Sequence, residues 1–148
     1  MPLISIEYYL SDYDPVQTYG INVDTTPRKV NGVMYYHPVA WAAGTADRPY
    51  WAEWDVSRAC ESFEASAVGI ADEAPSGSQY VFSVLRDGSD TWHQSVSIGQ
   101  GDPVKISIQG ALRLRLSVAG LKHGGYGPQA TWGDAKLWCS SEPPNRRG

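Results

Sequence analysis

The 148-residue sequence lacks a long apolar run, a basic run, a sustained helical period and the residue spacings that build metal centres. Without about 18 consecutive apolar residues it carries no membrane-spanning helix. Twelve Lys and Arg stand against sixteen Asp and Glu, a formal net charge of −4, and the basic residues are scattered. Non-specific nucleic-acid affinity rests on clustered Lys and Arg, so nucleic acid is a poor fit as partner. After Met1 the chain reads PLISIEYYLSDYD, with neither the basic start nor the apolar block of a signal peptide. An exported protein with this start has lost its signal, is a piece of a longer chain, or leaves the cell by another route.

Catalytic patterns are also missing. The chain has no GxSxG, HExxH or P-loop motif. His37, His93 and His123 sit in separate stretches, and neither they nor Cys60 and Cys139 have zinc-ligand spacing. The acidic pairs Asp12/Asp14, Asp72/Glu73 and Asp87/Asp90 all lie in turn-like segments. A glycosidase needs two carboxylates about 5–10 Å apart in a cleft, whereas carboxylates in turns serve solvation and turn formation. The reading is a non-enzyme without a cofactor. Asp12-Tyr13-Asp14 could contribute to a structural calcium site but offers too few ligands to define one.

Turns and strands dominate what is present. Fifteen Gly and ten Pro are spread along the chain, and six Trp and nine Tyr outnumber two Phe. Trp and Tyr join an apolar body to a polar tip, which suits cores, rims and binding faces alike. The clearest element is Ala111–Gly120 (ALRLRLSVAG), where Leu112, Leu114, Leu116 and Val118 alternate with Arg113, Arg115 and Ser117. Alternation with a period of two predicts an antiparallel strand in mid-sheet with one face in the core and one in water.

Further strands are predicted at Leu3–Leu10, Val33–His37, Tyr50–Val56, Glu61–Ile70, Gln79–Arg86, Thr91–Ile98, around Val104–Ile108 and within Ala130–Cys139. Asn31-Gly32 and Asp87-Gly88 mark tight turns. Residues 16–30 and Ala40–Pro49 read as irregular, Leu121–Gln129 as a glycine-rich loop, and Ser140–Gly148 as a flexible tail. The expectation is one all-β domain over residues 1–139, an antiparallel jelly-roll β-sandwich. Cys60 and Cys139 form a disulfide in an oxidising compartment or remain buried thiols in a reducing one.

Four ordered stretches resemble a known family: Trp54-Asp55-Val56 leading to Cys60–Phe63 and Val68–Glu73, Tyr80–Val84 with Asp87-Gly88, Ile108–Leu114, and Trp132–Leu137. Together with Leu10-Ser11-Asp12, Val30-Asn31-Gly32 and His37, they resemble NPCBM domains over about nine-tenths of the chain. That resemblance implies a galactose-binding-like β-sandwich serving as an extracellular accessory module of glycoside hydrolases or bacterial surface proteins. It also implies a Cys60–Cys139 bridge. The chain departs from the family where glycosidase-linked members carry an Asp-His pair, here Pro128-Gln129, and in the loop before Tyr126, which holds Lys122 and His123.

Sugars are held by apolar faces on aromatic rings and by a few fixed polar groups on loops. Tyr126 offers a ring, and Lys122 and His123 offer donors; Tyr36 and His37 join them if the family arrangement holds. The plain alternative packs Tyr126 over a sheet edge and leaves His123 solvated. Trp132 is a further candidate, with a core role weighing more heavily. Trp51 and Trp92, if exposed, would make aromatic platforms. The expected function is non-catalytic binding of a cell-surface or extracellular glycan. The alternative is a structural or protein-interaction sandwich, such as a virion decoration or surface-assembly protein, that has lost the sugar site. An intracellular origin would leave the thiols free.

Overall fold

The computed structural model describes residues 4–123 and 127–147. The chain enters through β1 (Ile6–Tyr9), a single 3-10 turn at Leu10–Asp12, and β2 (Gln17–Tyr19). A hairpin of β3 (Arg28–Val30) and β4 (Val33–Tyr35) leads to β5 (Val39–Trp41), β6 (Gly44–Thr45), β7 (Tyr50–Asp55) and the long β8 (Cys60–Ile70). A second hairpin joins β9 (Gln79–Arg86) to β10 (Ser89–Ser97); β11 (Gly101–Ser107), β12 (Arg113–Lys122), β13 (Ala130–Gly133) and β14 (Lys136–Cys139) follow. Both hairpins turn on two successive left-handed residues, Asn31 (φ 49°) with Gly32 (φ 80°) and Asp87 (φ 48°) with Gly88 (φ 83°). That is the type I′ geometry that Asn-Gly and Asp-Gly favour. The Asp72 carboxylate accepts the Asn31 and Gly32 N–H groups at 2.7 and 2.9 Å and anchors the first hairpin.

The strands form a jelly-roll β-sandwich. One sheet runs β1-β14-β8-β13-β5, with β11 also paired to β8; the other runs β10-β9-β12-β7-β2, with β6 beside β12. β12 is central and antiparallel to β7 and β9, as its alternation predicted, with a short parallel pairing to β6 at its end. Leu114, Leu116 and Val118 are buried from one sheet, and Phe63, Ile70 and Leu137 from the other. Each such side chain contributes about 1.5–3 kcal/mol when fully buried. Trp132 lies in the middle of the core, its ring centroid 5.3 Å from that of Phe82, 6.0 Å from Phe63 and 6.4 Å from Trp41.

Several expectations are corrected. Leu112 is exposed, because β12 starts one residue later. The Asp87 carboxylate captures the Leu112 and Arg113 N–H groups, and the Leu112 carbonyl accepts from Val56, which turns the chain before the strand begins. The stretch read as a loop at 40–49 contains part of β5, buried throughout, and β6. Residues 16–30 contain β2 and β3. The segment after Cys139, read as a flexible tail, runs back over the first turn of the domain. Asp14 N–H donates to the Asn145 carbonyl at 2.9 Å, Arg147 N–H donates to the Asp12 carbonyl at 2.8 Å, and Pro143 is buried. Cys60 and Cys139, neighbours in the β8–β14 register, form a disulfide.

Candidate functional site

At the end of the sandwich where β5 finishes and β13 begins lies a hollow of about 250 Å³. Ile21, Asn22 and Asp24 wall it from the arm between β2 and β3, Trp41 from the end of β5 and Ala42 from just after it, and Gly127 and Pro128 from the segment before β13. The arm is fixed there by a backbone bridge: Asp24 N–H donates to the Ala40 carbonyl at 2.8 Å, and Ala40 N–H returns to Asp24 at 2.9 Å. Trp41 is held by its indole N–H donating to the Tyr50 carbonyl at 3.2 Å.

The Asp24 carboxylate accepts from the Thr26 amide at 2.8 Å, the Thr26 hydroxyl at 2.6 Å and the Arg28 guanidinium at 2.9 Å. Burial pushes this carboxyl up, but the Thr26 hydrogen bonds and the Arg28 charge outweigh it and hold the group below the usual aspartate value. Arg28 also reaches Glu73 at 3.0 Å. This carboxylate is thus committed to shaping the wall, while Asn22 makes no side-chain hydrogen bond among the described residues. Gln129, beside Pro128, has its carbonyl tied to Ala71 N–H at 2.8 Å and to the Thr131 hydroxyl at 3.2 Å. Its side-chain Oε1 is buried and unpartnered among the described residues.

The candidate residues fall into separate groups. Lys122 and His123 are exposed at the end of β12. The His123 carbonyl accepts from the Tyr80 hydroxyl at 3.2 Å, and its backbone is left-handed (φ 61°). Tyr126 lies outside the described residues. His37 stacks on Tyr9, with centroids 4.0 Å apart and planes at 10°, and its amide donates to the Asp134 carboxylate at 3.1 Å. Tyr36 beside it is 67% exposed.

Because Val39 pairs with Trp132 and Trp41 with Ala130, Tyr36 and His37 lie past the Gly133 end of β13 and the 127–129 segment past its Ala130 end. Four residues of strand, roughly 13 Å, part them. The structure therefore does not gather His37 and Tyr36 with the loop residues. Trp132 is fully buried, so no sugar reaches its ring. Its indole N–H is without a partner among the described residues, an unmet bond that costs about 1–3 kcal/mol.

Neither aromatic platform is open. The Arg115 guanidinium lies 3.7 Å from the centroid of the Trp51 ring, and Tyr19 stacks beside that ring at 6.1 Å. Trp92 is half-buried, with its ring 6.4 Å from Trp132. Asp14, offered for calcium, pairs with Arg147 at 3.4 Å, and no group of three or more metal-ligating side chains gathers among the described residues. Sequence reasoning missed Asn22 and Asp24, which lie in a stretch read as irregular. The signal was the Asp24-Thr25-Thr26 pattern, in which an aspartate side chain bonds the backbone two residues on.

The family model for the NPCBM/NEW2 domain matches residues 7–138. The chain belongs to that family. Among curated proteins, this NPCBM domain is 30% identical over 122 residues to a protein of Renibacterium salmoninarum named "Putative endo-alpha-N-acetylgalactosaminidase". The match takes in 80% of this chain and 8% of that protein, so the domain spans less than a tenth of its relative.

Among solved structures, the CBM51 of Clostridium perfringens GH95 in complex with methyl-galactose superposes with a TM-score of 0.67 at 23% identity, over 89% of this chain and 99% of that one. Another is CBM51-2 in complex with GlcNAc, with the INT domains, from Clostridium perfringens ZmpB, with a TM-score of 0.71 at 16% identity over 90% and 32%. A third, from the same ZmpB, holds the M60 catalytic domain with CBM51-1 and CBM51-2, with a TM-score of 0.71 at 23% identity over 93% and 16%. At these identities the NPCBM domain shares the fold of the CBM51 modules.

Proposed function

We propose that this NPCBM domain is a non-catalytic carbohydrate-binding module for extracellular or cell-surface glycans. The observation that carries the reading is the family match over residues 7–138, joined to a fold shared with modules seen holding methyl-galactose and GlcNAc. The proposed sugar site is the hollow at the Ala130 end of β13, extended by Lys122 at the end of β12 and by His123 and Tyr126 in the segment that leads to Gly127. It combines an apolar wall with polar groups at a loop end, the general composition of small-ligand sites. Chemistry belongs to separate domains in this reading, as in ZmpB, where an M60 catalytic domain stands beside CBM51 modules. The Cys60–Cys139 bridge supports an oxidising compartment.

A glycan array probed with the purified domain tests the reading, with Tyr126→Ala and Asn22→Ala as controls. Saturable binding lost in both variants is the expected result. A blank array from a folded protein would sink it and leave the protein-interaction reading. A Trp-rich surface patch would favour that reading; all six Trp are buried or half-buried.

A further inference from the structure

A larger cavity, about 440 Å³, opens within the arm between β1 and β3 and is closed on one side by the returning C-terminal segment. That volume lies in the range of about 300–1,000 Å³ typical of ligand clefts. Val16 and Val23 supply apolar surface, and Asp14, Gln17, Asn22 and Arg147 supply planar polar groups. A carboxylate, a carboxamide and a guanidinium each present two atoms in one plane, which suits a pair of neighbouring hydroxyls on a ring.

The cleft is preformed. Val16 N–H donates to the Glu53 carbonyl at 2.8 Å, and Asp14 N–H donates to Asn145 at 2.9 Å. The Arg147 guanidinium reaches the Ser11 carbonyl at 3.3 Å, the Thr25 hydroxyl at 3.4 Å and the Asp14 carboxylate at 3.4 Å. Walls already held in place lower the ordering cost of binding. The Gln17 and Asn22 carboxamides make no side-chain hydrogen bond among the described residues, so their donors and acceptors are available to a ligand. Asp14 and Arg147 neutralise each other, which selects a neutral polyol rather than a charged one.

Asn22 also lines the loop-end hollow, so one side chain forms a wall of both cavities. We propose that the cleft is a second sugar subsite, holding the residue next to the one in the loop-end hollow, so that one glycan straddles Asn22. This rests on the carbohydrate-binding reading above. It makes the domain a reader of at least two linked sugars rather than of a single terminal one.

Titrating the domain with methyl-galactose and with N-acetyllactosamine, by calorimetry and by NMR of the side-chain amides, tests the proposal. The disaccharide is expected to bind at least ten-fold more tightly, moving the amide signals of both Gln17 and Asn22, and Gln17→Ala is expected to abolish that gain. Because the Gln17 side chain has no hydrogen bond to lose among the described residues, an unchanged melting temperature is expected to accompany the loss. Equal affinities for the two probes, or a gain that survives Gln17→Ala with the Gln17 signal unmoved, would overturn the second subsite while leaving the module reading intact. No binding of either probe together with a blank array would overturn both.

Discussion

The two sheets finish their outer faces in opposite ways. On the β8–β13 side the β3–β4 hairpin lies directly on the sheet, and the strands give it room by dispensing with side chains. A Cβ at Gly69 would stand 2.5 Å from Val30 Cγ1 and 2.7 Å from the Gln100 carbonyl oxygen, and one at Gly133 would stand 2.8 Å from the Tyr35 ring. The Cys60–Cys139 bridge then ties the end of the same sheet. On the β7–β12 side no hairpin lies over the strands among the described residues. Cross-strand partners are ion pairs instead, Arg113 with Asp55 at 2.9 Å and Arg115 with Glu53 at 3.1 Å, and Arg115 also lies over Trp51. A covered face needs absent side chains because interiors are close-packed, whereas an open face needs polar partners that satisfy one another.

Breaking the covered sheet should cost most. Replacing Cys60 and Cys139 by Ser is expected to lower the unfolding free energy by about 4 kcal/mol in the chain-entropy model, read as a shifted urea midpoint. Gly69→Ala should cost about 1–3 kcal/mol through overpacking. Adding Val30→Ala should return only part of that in thermal unfolding, because the Gln100 contact is backbone. The open sheet should be more forgiving: Arg115→Ala is expected to cost about 0.5–1 kcal/mol, with the loss shrinking in high salt.

The smallest effect concerns Asp24, which fixes the root of the covering hairpin through Arg28. Its folded carboxyl sits below the unfolded value, so its stabilisation is full above the ordinary aspartate range and is lost as pH falls through the folded value. Asp24→Asn should therefore differ in stability from the parent at neutral pH and converge with it in acid, in unfolding curves taken across that range. A constant gap would contradict the assignment.

The same contrast governs what could be read in advance. The open sheet was legible because alternation in β12 and β7 reports a buried and a wet face directly. Leu112 broke the pattern only because a carboxylate 25 residues away, Asp87, claims its amide. β5 was not legible: Val39–Trp41 is buried throughout, so it has no alternation, and Pro38 argued against pairing. The disulfide followed from the family resemblance better than from spacing.

The proposed site was legible as composition but not as geometry. Lys122, read as part of a glycine-rich loop, is the last residue of β12, with His123 just beyond it, and the separation of His37 from the 127–129 segment depends on the β5–β13 register, which one-dimensional pattern does not carry. The walls from Ile21 to Asp24 belong to a polar arm whose shape is set by side-chain to backbone bonds.

The bridge between β8 and β14 has a mechanical meaning for a binding module pulled by its two ends. Tension applied through the two ends of the chain reaches Cys60 and Cys139 and passes across the sulfurs, bypassing what lies between. The 79-residue separation keeps roughly 270 Å of contour, at about 3.4 Å per residue, out of reach of the pull. Strands β9 to β13, which carry the central core and one wall of the loop-end hollow, are never in the line of force. Under load the chain can lengthen only through the residues before Cys60, from β1 to β7, and the last few after Cys139.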